Sequence, residues 1–265
     1  MSHKEPSDSL SQPVALIAGG SRGIGYAICH DLAEKGYIIV AAARTVEELT
    51  DLSDSFAALN QDITCLQFDM ADAESINTMV NTAFKQYGRL DAVINSAGIS
   101  YVAPVALANL QRCEEVLQVN LMGAFTLSKA AVRIMTRQRF GRIVHIGSIS
   151  GSIGAAYNAI YAASKAGVAG LVKSLALEVA SIGITVNAVQ PGTVHTSLFE
   201  QTHGARAKLK GISIEEQRSL MEEDNPQKRL VTVNDISAAV CFLVSDGAAS
   251  INGHLLNVDG GRSIS

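Results

Sequence analysis

Three side chains sit at spacings that could move a proton: Ser148, Tyr161 and Lys165. Tyr161 and Lys165 lie four residues apart in the alanine-rich run YAASK, so the spacing predicts that both project from one helical face. A phenol ordinarily keeps its proton to pH ~10. An ammonium one turn away favours the phenolate and is expected to lower that value. Tyr161 then becomes a proton donor and acceptor usable near neutral pH. Ser148 follows the strand-like run RIVHIG, residues 142–147, where an α/β sheet opens onto its ligand crevice. Its hydroxyl is placed to hydrogen-bond a reacting carbonyl or alcohol oxygen.

The elements that must position these groups begin near the N-terminus. PVALIA, residues 13–18, is a short apolar run of strand length, followed by Gly19, Gly20, Ser21, Arg22, Gly23, Ile24 and Gly25 and then a helical period to about Lys35. Strand, glycine turn and helix is the setting of a dinucleotide site. The glycines admit the pyrophosphate to the backbone, and the helix N-terminus receives its charge. The spacing Gly-x3-Gly-x-Gly is a relative of the G-x-G-x-x-G pattern and not a match to it. A nicotinamide bound here in its cationic form would lower the Tyr161 pKa further. The second strand, Tyr37 to Ala43, ends at Arg44-Thr45, where an NAD site usually carries an acid for the ribose 2′-hydroxyl. Arg44 and Arg22 suit a 2′-phosphate instead, so the expected cofactor is NADP(H).

The alternation continues with a helix over about 46–59, a strand from Thr64 to Phe68, a helix over about 73–87 and a strand over 91–95. Asp69, at a strand end, is a candidate for the adenine edge. Residues 110–138 read as one long helix carrying Asn120 in an apolar setting, and residues 184–189 are a buried strand closing on Pro191-Gly192. The segment 197–230 turns charged and mixed, the character of a lid. A helix over 234–245 and a strand over 255–258 complete the chain. Repeated strand–helix alternation predicts a doubly wound α/β fold, a parallel sheet with helices on both faces.

Composition agrees with one such domain over 13–265 after a polar tail at 1–12. The chain has 48% hydrophobic residues and a net charge of −4, which argues against nucleic acid or an anionic membrane as the main partner. Its four scattered cysteines form neither a metal spacing nor a disulfide framework, which points to a cytoplasmic setting. No apolar run approaches the ~18 residues of a membrane span. The opening MSHKEPSDSLSQ lacks the apolar region of a secretory signal.

Taken together, Gly19-x3-Gly23-Ile24-Gly25, Asn95-Ser96-Ala97-Gly98, Asn120, Ser148, Tyr161-x3-Lys165 and Pro191-Gly192 resemble the short-chain dehydrogenases/reductases in order and spacing. Within that family the runs around residues 120–151 and 161–192 are most similar to 3-oxoacyl-thioester reductases. The resemblance implies a Rossmann fold of seven parallel strands in the order 3-2-1-4-5-6-7 and a catalytic tetrad of Asn120, Ser148, Tyr161 and Lys165. It implies hydride transfer from the nicotinamide B-face to a ketone carbon, with Tyr161 giving the proton and Lys165 also holding the ribose hydroxyls. Asn120 would open its helix locally, and Val194 and Thr196 would hold the carboxamide. The family is usually tetrameric, pairing through the helices at about 110–138 and 158–181.

Three departures stand out. Ala18 replaces the usual Thr before the glycine motif, and Ser96 stands before Ala97-Gly98. Ile182 occupies a position that is basic in carrier-protein reductases, and the lid is longer than theirs. A secondary-alcohol or hydroxy-acid dehydrogenase is therefore the competing enzymatic reading, and a non-catalytic cofactor-binding subunit the non-enzymatic one. Arg133, Arg137, Arg139 and Arg142 cluster in sequence where the long helix ends. They could receive an acidic carrier or coenzyme A phosphates, or simply offset the helix macrodipole. His145 reads as a packed strand residue, and His195 as a residue beside the carboxamide contacts that could face substrate.

Overall fold

The computed structural model describes residues 12–265, except for the side chains of Ser197, Leu198 and Gln201; the expected polar tail lies almost wholly outside the described residues. The first half runs β1 (Val14–Ala18), α1 (Gly23–Glu34), β2 (Ile38–Ala43), α2 (Val46–Ala58), β3 (Ile63–Gln67), α3 (Ala73–Tyr87) and β4 (Ala92–Asn95). Then come α4 (Leu110–Leu117), α5 (Gly123–Gln138), β5 (Gly141–Ile146), the single turn α6 (Ser150–Ile153), α7 (Ala159–Val179) and β6 (Ile184–Pro191). The chain closes with α8 (Ser197–Lys210), α9 (Ile214–Asp224), α10 (Val233–Val244) and β7 (Leu255–Val258).

The strands form one seven-stranded sheet in the order β3-β2-β1-β4-β5-β6-β7, every pairing parallel. Because side chains alternate across a strand, β1 feeds both faces. Val14 and Leu16 pack with Ile76 of α3, Leu127 of α5 and Val172 of α7. Ala15 and Ile17 pack with Ile28 of α1, Phe56 of α2 and Val240 of α10. Burial on both faces explains why the strand is a continuous apolar run and not an alternating one.

β1 pairs with β2 on one side and β4 on the other, so the chain changes direction across the sheet at this strand. A crevice opens beyond the carboxyl ends of strands at such a point, and both loops that carry the glycine and Asn95–Gly98 motifs leave the sheet there.

Two segments differ from what periodicity alone predicts. The 110–138 helix is interrupted by a π-helical turn at Gln118–Met122, which surrounds Asn120 and is the local opening that the family resemblance implies. The segment after residue 196 is largely helical: α8 begins on Thr196, whose hydroxyl accepts from Phe199 N–H at 3.4 Å, and α9 begins on Ser213, which accepts from Glu216 N–H at 3.0 Å. Its two ends are held together, since Val231 N–H donates to the Thr193 carbonyl at 3.0 Å.

Candidate active site

The glycine loop is built by close approach. Gly19 takes a left-handed φ of 80°, and a Cβ there would lie 2.7 Å from the Ala97 nitrogen. A Cβ on Gly25 would lie 1.9 Å from the Gly19 carbonyl oxygen, so helix α1 can start here only without a side chain. The loop borders a cleft of about 810 Å³ lined also by Arg44, Thr45, Asp69, Ala97 and Gly98. Ser21, Arg22, Gly23 and Ile24 complete its floor on the α1 side. Gly25 and Asn95 do not line it. Gly25 serves the packing of loop on helix, and Asn95, fully within the sheet, contacts His145 Nδ1 at 3.3 Å.

A second cavity of about 420 Å³ adjoins the first, and Ile24, Ser96, Gly98 and Thr196 line both. Ser148, Tyr161 and Lys165 meet in it, with Pro191, Gly192 and Val194 beside them. Ser148 is fixed just beyond β5: its Oγ accepts from Ser150 N–H at 3.1 Å, which leaves its proton free to reach the Tyr161 oxygen, to which it is hydrogen-bonded. Lys165, one turn along α7, donates from Nζ to the Ile146 carbonyl at 2.8 Å and lies 5.6 Å from the Tyr161 ring centroid.

Asn120 ties three elements together from its π turn. Its Oδ1 accepts from Ile99 N–H at 2.9 Å, while its Nδ2 donates to the Ile99 carbonyl at 2.9 Å and to Ser164 Oγ at 3.0 Å. Ser164 in turn donates to the Tyr161 carbonyl at 2.7 Å. The loop carrying Gly98 and the helix carrying Tyr161 and Lys165 are thus clamped by one buried amide.

The electrostatics correct the simplest reading of the Tyr–Lys pair. Burial pushes the Tyr161 phenol above its usual value; hydrogen bonding from Ser148 and the positive charge of Arg206 pull it down but do not overcome burial. Lys165 is not what lowers it here. Burial brings the Lys165 ammonium itself down to about 8, so it remains mostly charged at neutral pH.

These features match known proteins. A family model described as short chain dehydrogenase matches residues 13–207. The chain belongs to the short-chain dehydrogenase family. A 3-oxoacyl-(acyl-carrier-protein) reductase of Haemophilus influenzae is 37% identical over 252 residues, 95% of this chain and 98% of that protein. A variant of actinorhodin polyketide ketoreductase solved with NADPH has a TM-score of 0.93 at 31% identity, covering 97% of this chain and 99% of the other. ElxO with NADP bound has a TM-score of 0.86 at 29% identity, covering 96% and 100%.

Other residues of this short-chain dehydrogenase lie where sequence alone did not place them. Arg22 is ion-paired with Glu48 at 2.9 Å rather than free to face a ligand alone. Arg142 lies inside β5, as the strand-like run 142–147 predicts, and so not with the helix-end arginines: it is nearly buried, with its guanidinium 4.4 Å above the Phe140 ring and 3.9 Å from Asp246. His195 points to Glu200 at 3.1 Å on the surface and does not line the smaller cavity, whereas His203 and Arg206 of α8 do. Ser164, next to Lys165 in the YAASK run, was the one further polar residue whose position in sequence could have signalled a role.

Proposed function

We propose that this short-chain dehydrogenase is an NADPH-dependent ketoreductase acting on a 3-oxoacyl thioester or a related β-keto compound. The observation that carries the reading is the convergence of Ser148, Tyr161 and Lys165 where the two cavities join. The similarity to a carrier-protein reductase and to an NADPH-bound ketoreductase supports it.

The residues fit the cofactor. The glycine cradle leaves no room for side chains, and β2 ends in Ala43-Arg44 with no acid to favour a 2′-hydroxyl. Arg44, Thr45 and Arg22 would hold the 2′-phosphate, Asp69 the adenine edge, and Gly19 through Gly25 the pyrophosphate. Pro191, Gly192, Val194 and Thr196 would border the nicotinamide carboxamide. NADPH, when bound, supplies the hydride. Tyr161 holds the proton that passes to the carbonyl oxygen as negative charge grows there, and Ser148 donates a hydrogen bond at the same place. Lys165 supplies a fixed positive charge and hydrogen bonds to ribose hydroxyls. Asn120 keeps α7 and the Gly98 loop in register through Ser164 and Ile99.

The chain would act as a single catalytic domain in the cytoplasm, as a homotetramer paired through α4–α5 and α7. Exposed Phe125 on α5 and Leu177 on α7 support that pairing. The test is to mix the protein with NADPH and acetoacetyl thioesters and follow the loss of NADPH absorbance. Oxidation of simple secondary alcohols with no thioester reduction would replace the reading with an alcohol dehydrogenase. Tight NADPH binding without turnover of any ketone would point to a non-catalytic subunit.

A further inference from the structure

The lid side of the smaller cavity holds a group of polar atoms with nothing to bond. Thr202 Oγ1, His203 Nδ1, Arg206 Nε and Gln217 Oε1 are all buried without a hydrogen-bond partner among the described residues, and all four residues line this cavity. Buried polar atoms are nearly always satisfied, because leaving one unpaired forfeits the hydrogen bonds it made to water. Four orphans on residues that line the same cavity as Tyr161 mark the wall where small side-chain rotations would bring unpaired polar atoms to a ligand group.

Their placement follows from helix geometry. His203, Arg206 and Lys210 recur at three- and four-residue spacing on α8, and Thr202 lies one turn from Arg206, so one face of the helix looks into the cavity. Gln217 comes from α9 and is 3% exposed. Arg206 has no ion pair among the described residues, while the acid that also borders the cavity, Asp224, is already paired with Arg262 at 2.7 Å. His203 is packed on Phe199, ring centroids 4.5 Å apart, and is held neutral by burial and by the charges of Arg206 and Lys210. The wall therefore carries the Arg206 guanidinium, the Thr202 hydroxyl and the His203 ring beside a single amide, that of Gln217.

We propose that this wall is a carboxylate subsite: the ketone substrate carries an anionic group a few bonds from the reacting carbonyl, bound by Arg206 with Thr202 and His203. The inference rests on the ketoreductase reading and names its substrate class. The anion lies near the reaction centre because Arg206 and Tyr161 line one cavity of about 420 Å³. A distant phosphate on a carrier arm does not meet that condition. A purely apolar acyl chain fits less well, since it would leave Arg206 Nε and three further polar atoms of this wall unpaired.

The experiment compares acetoacetate with its neutral methyl ester as substrates, using NADPH and the full chain. The wild type is expected to reduce the acid with a kcat/KM about tenfold or more above the ester, the effect of one charge-assisted contact. In Arg206→Met that acid-to-ester ratio should fall to about one or below, mainly through the KM of the acid, and Arg206→Lys should recover part of it. Near-equal use of acid and ester by the wild type, or an unchanged ratio in Arg206→Met, overturns the subsite while leaving the reductase in place. Reduction of neither compound, or of any neutral or anionic ketone, removes the ketoreductase reading and the subsite with it.

Discussion

Arg22 Nη1 lies 2.9 Å from Glu48 Oε1, and Ser21 Oγ donates to the other carboxylate oxygen of Glu48 at 2.7 Å, at the rim of the larger cleft. A 2′-phosphate bound between Arg22 and Arg44 must compete with this carboxylate. An exposed pair of this kind contributes roughly 0–1 kcal/mol, so Glu48→Gln should raise the NADPH kcat/KM up to about fivefold. Arg44→Asp should lower the NADPH-to-NADH ratio of kcat/KM by about tenfold or more, because it replaces a phosphate partner with a ribose partner. Unchanged ratios in both variants would show that the phosphate is bound elsewhere.

Asn120 should be a hinge of stability as well as of the site. It is 2% exposed, and Asn120→Ala removes the partners of the Ile99 backbone and of Ser164 together. A loss of about 1–3 kcal/mol in urea unfolding is expected, with a larger fall in turnover than in NADPH affinity. A variant as stable as wild type would mean that the π turn does not depend on this amide.

Gly25→Ala tests the cradle. Its Cβ would meet backbone at 1.9 Å, not a movable side-chain end, so loop and helix must separate. The outcome should be loss of NADPH binding by about a hundredfold or more, measured by titration, accompanied by a lower Tm.

Acid stability should report the buried histidines. His145 is fully buried between Asn95 and Ser128, and burial, with a smaller contribution from Lys165, holds it at about 4 against an ordinary 6.5. Between those values the unfolded chain binds a proton that the native chain declines, so stability falls as pH is lowered from about 6.5 to about 4. His203 adds to the same window, with its value also about 4. His145→Gln should flatten the slope by up to about 3 kcal/mol across it. Lys165, lowered to about 8, acts at the other end. The native chain releases that proton first, so stability should gain as pH rises from about 8 towards 10.5, and Lys165→Met should remove the gain.

Much of this molecule was legible in its sequence, for physical reasons. Strands covered on both faces are unbroken apolar runs between glycine and charged residues, so VALIA, IIVAAA and ITVNAV stood out within a residue or two of their true ends. The turn at Gln118–Met122 does not show in the periodicity, because one extra residue in a helical turn leaves the apolar period of Val116, Ala124 and Leu127 intact on either side; only the family resemblance pointed to it, through Asn120. Arg142 lies in the strand that the run 142–147 predicted; only its grouping with the helix-end arginines fails, because Arg139 closes α5 with a left-handed φ of 55°. The Tyr–Lys spacing does not disclose the burial that raises the Tyr161 phenol more than Ser148 and Arg206 lower it. The grouping of Thr202, His203, Arg206 and Gln217 along one cavity is not legible in a segment whose charged, mixed composition reads only as a lid.

The most direct measurement is the single-turnover rate of Tyr161→Phe at neutral pH, taken beside its NADPH affinity. The variant keeps the ring and its packing but has no proton to give, so the rate should fall by about 10²–10⁴ while NADPH still binds within a few-fold of wild type. Reduction at the wild-type rate with the phenol gone would contradict the account.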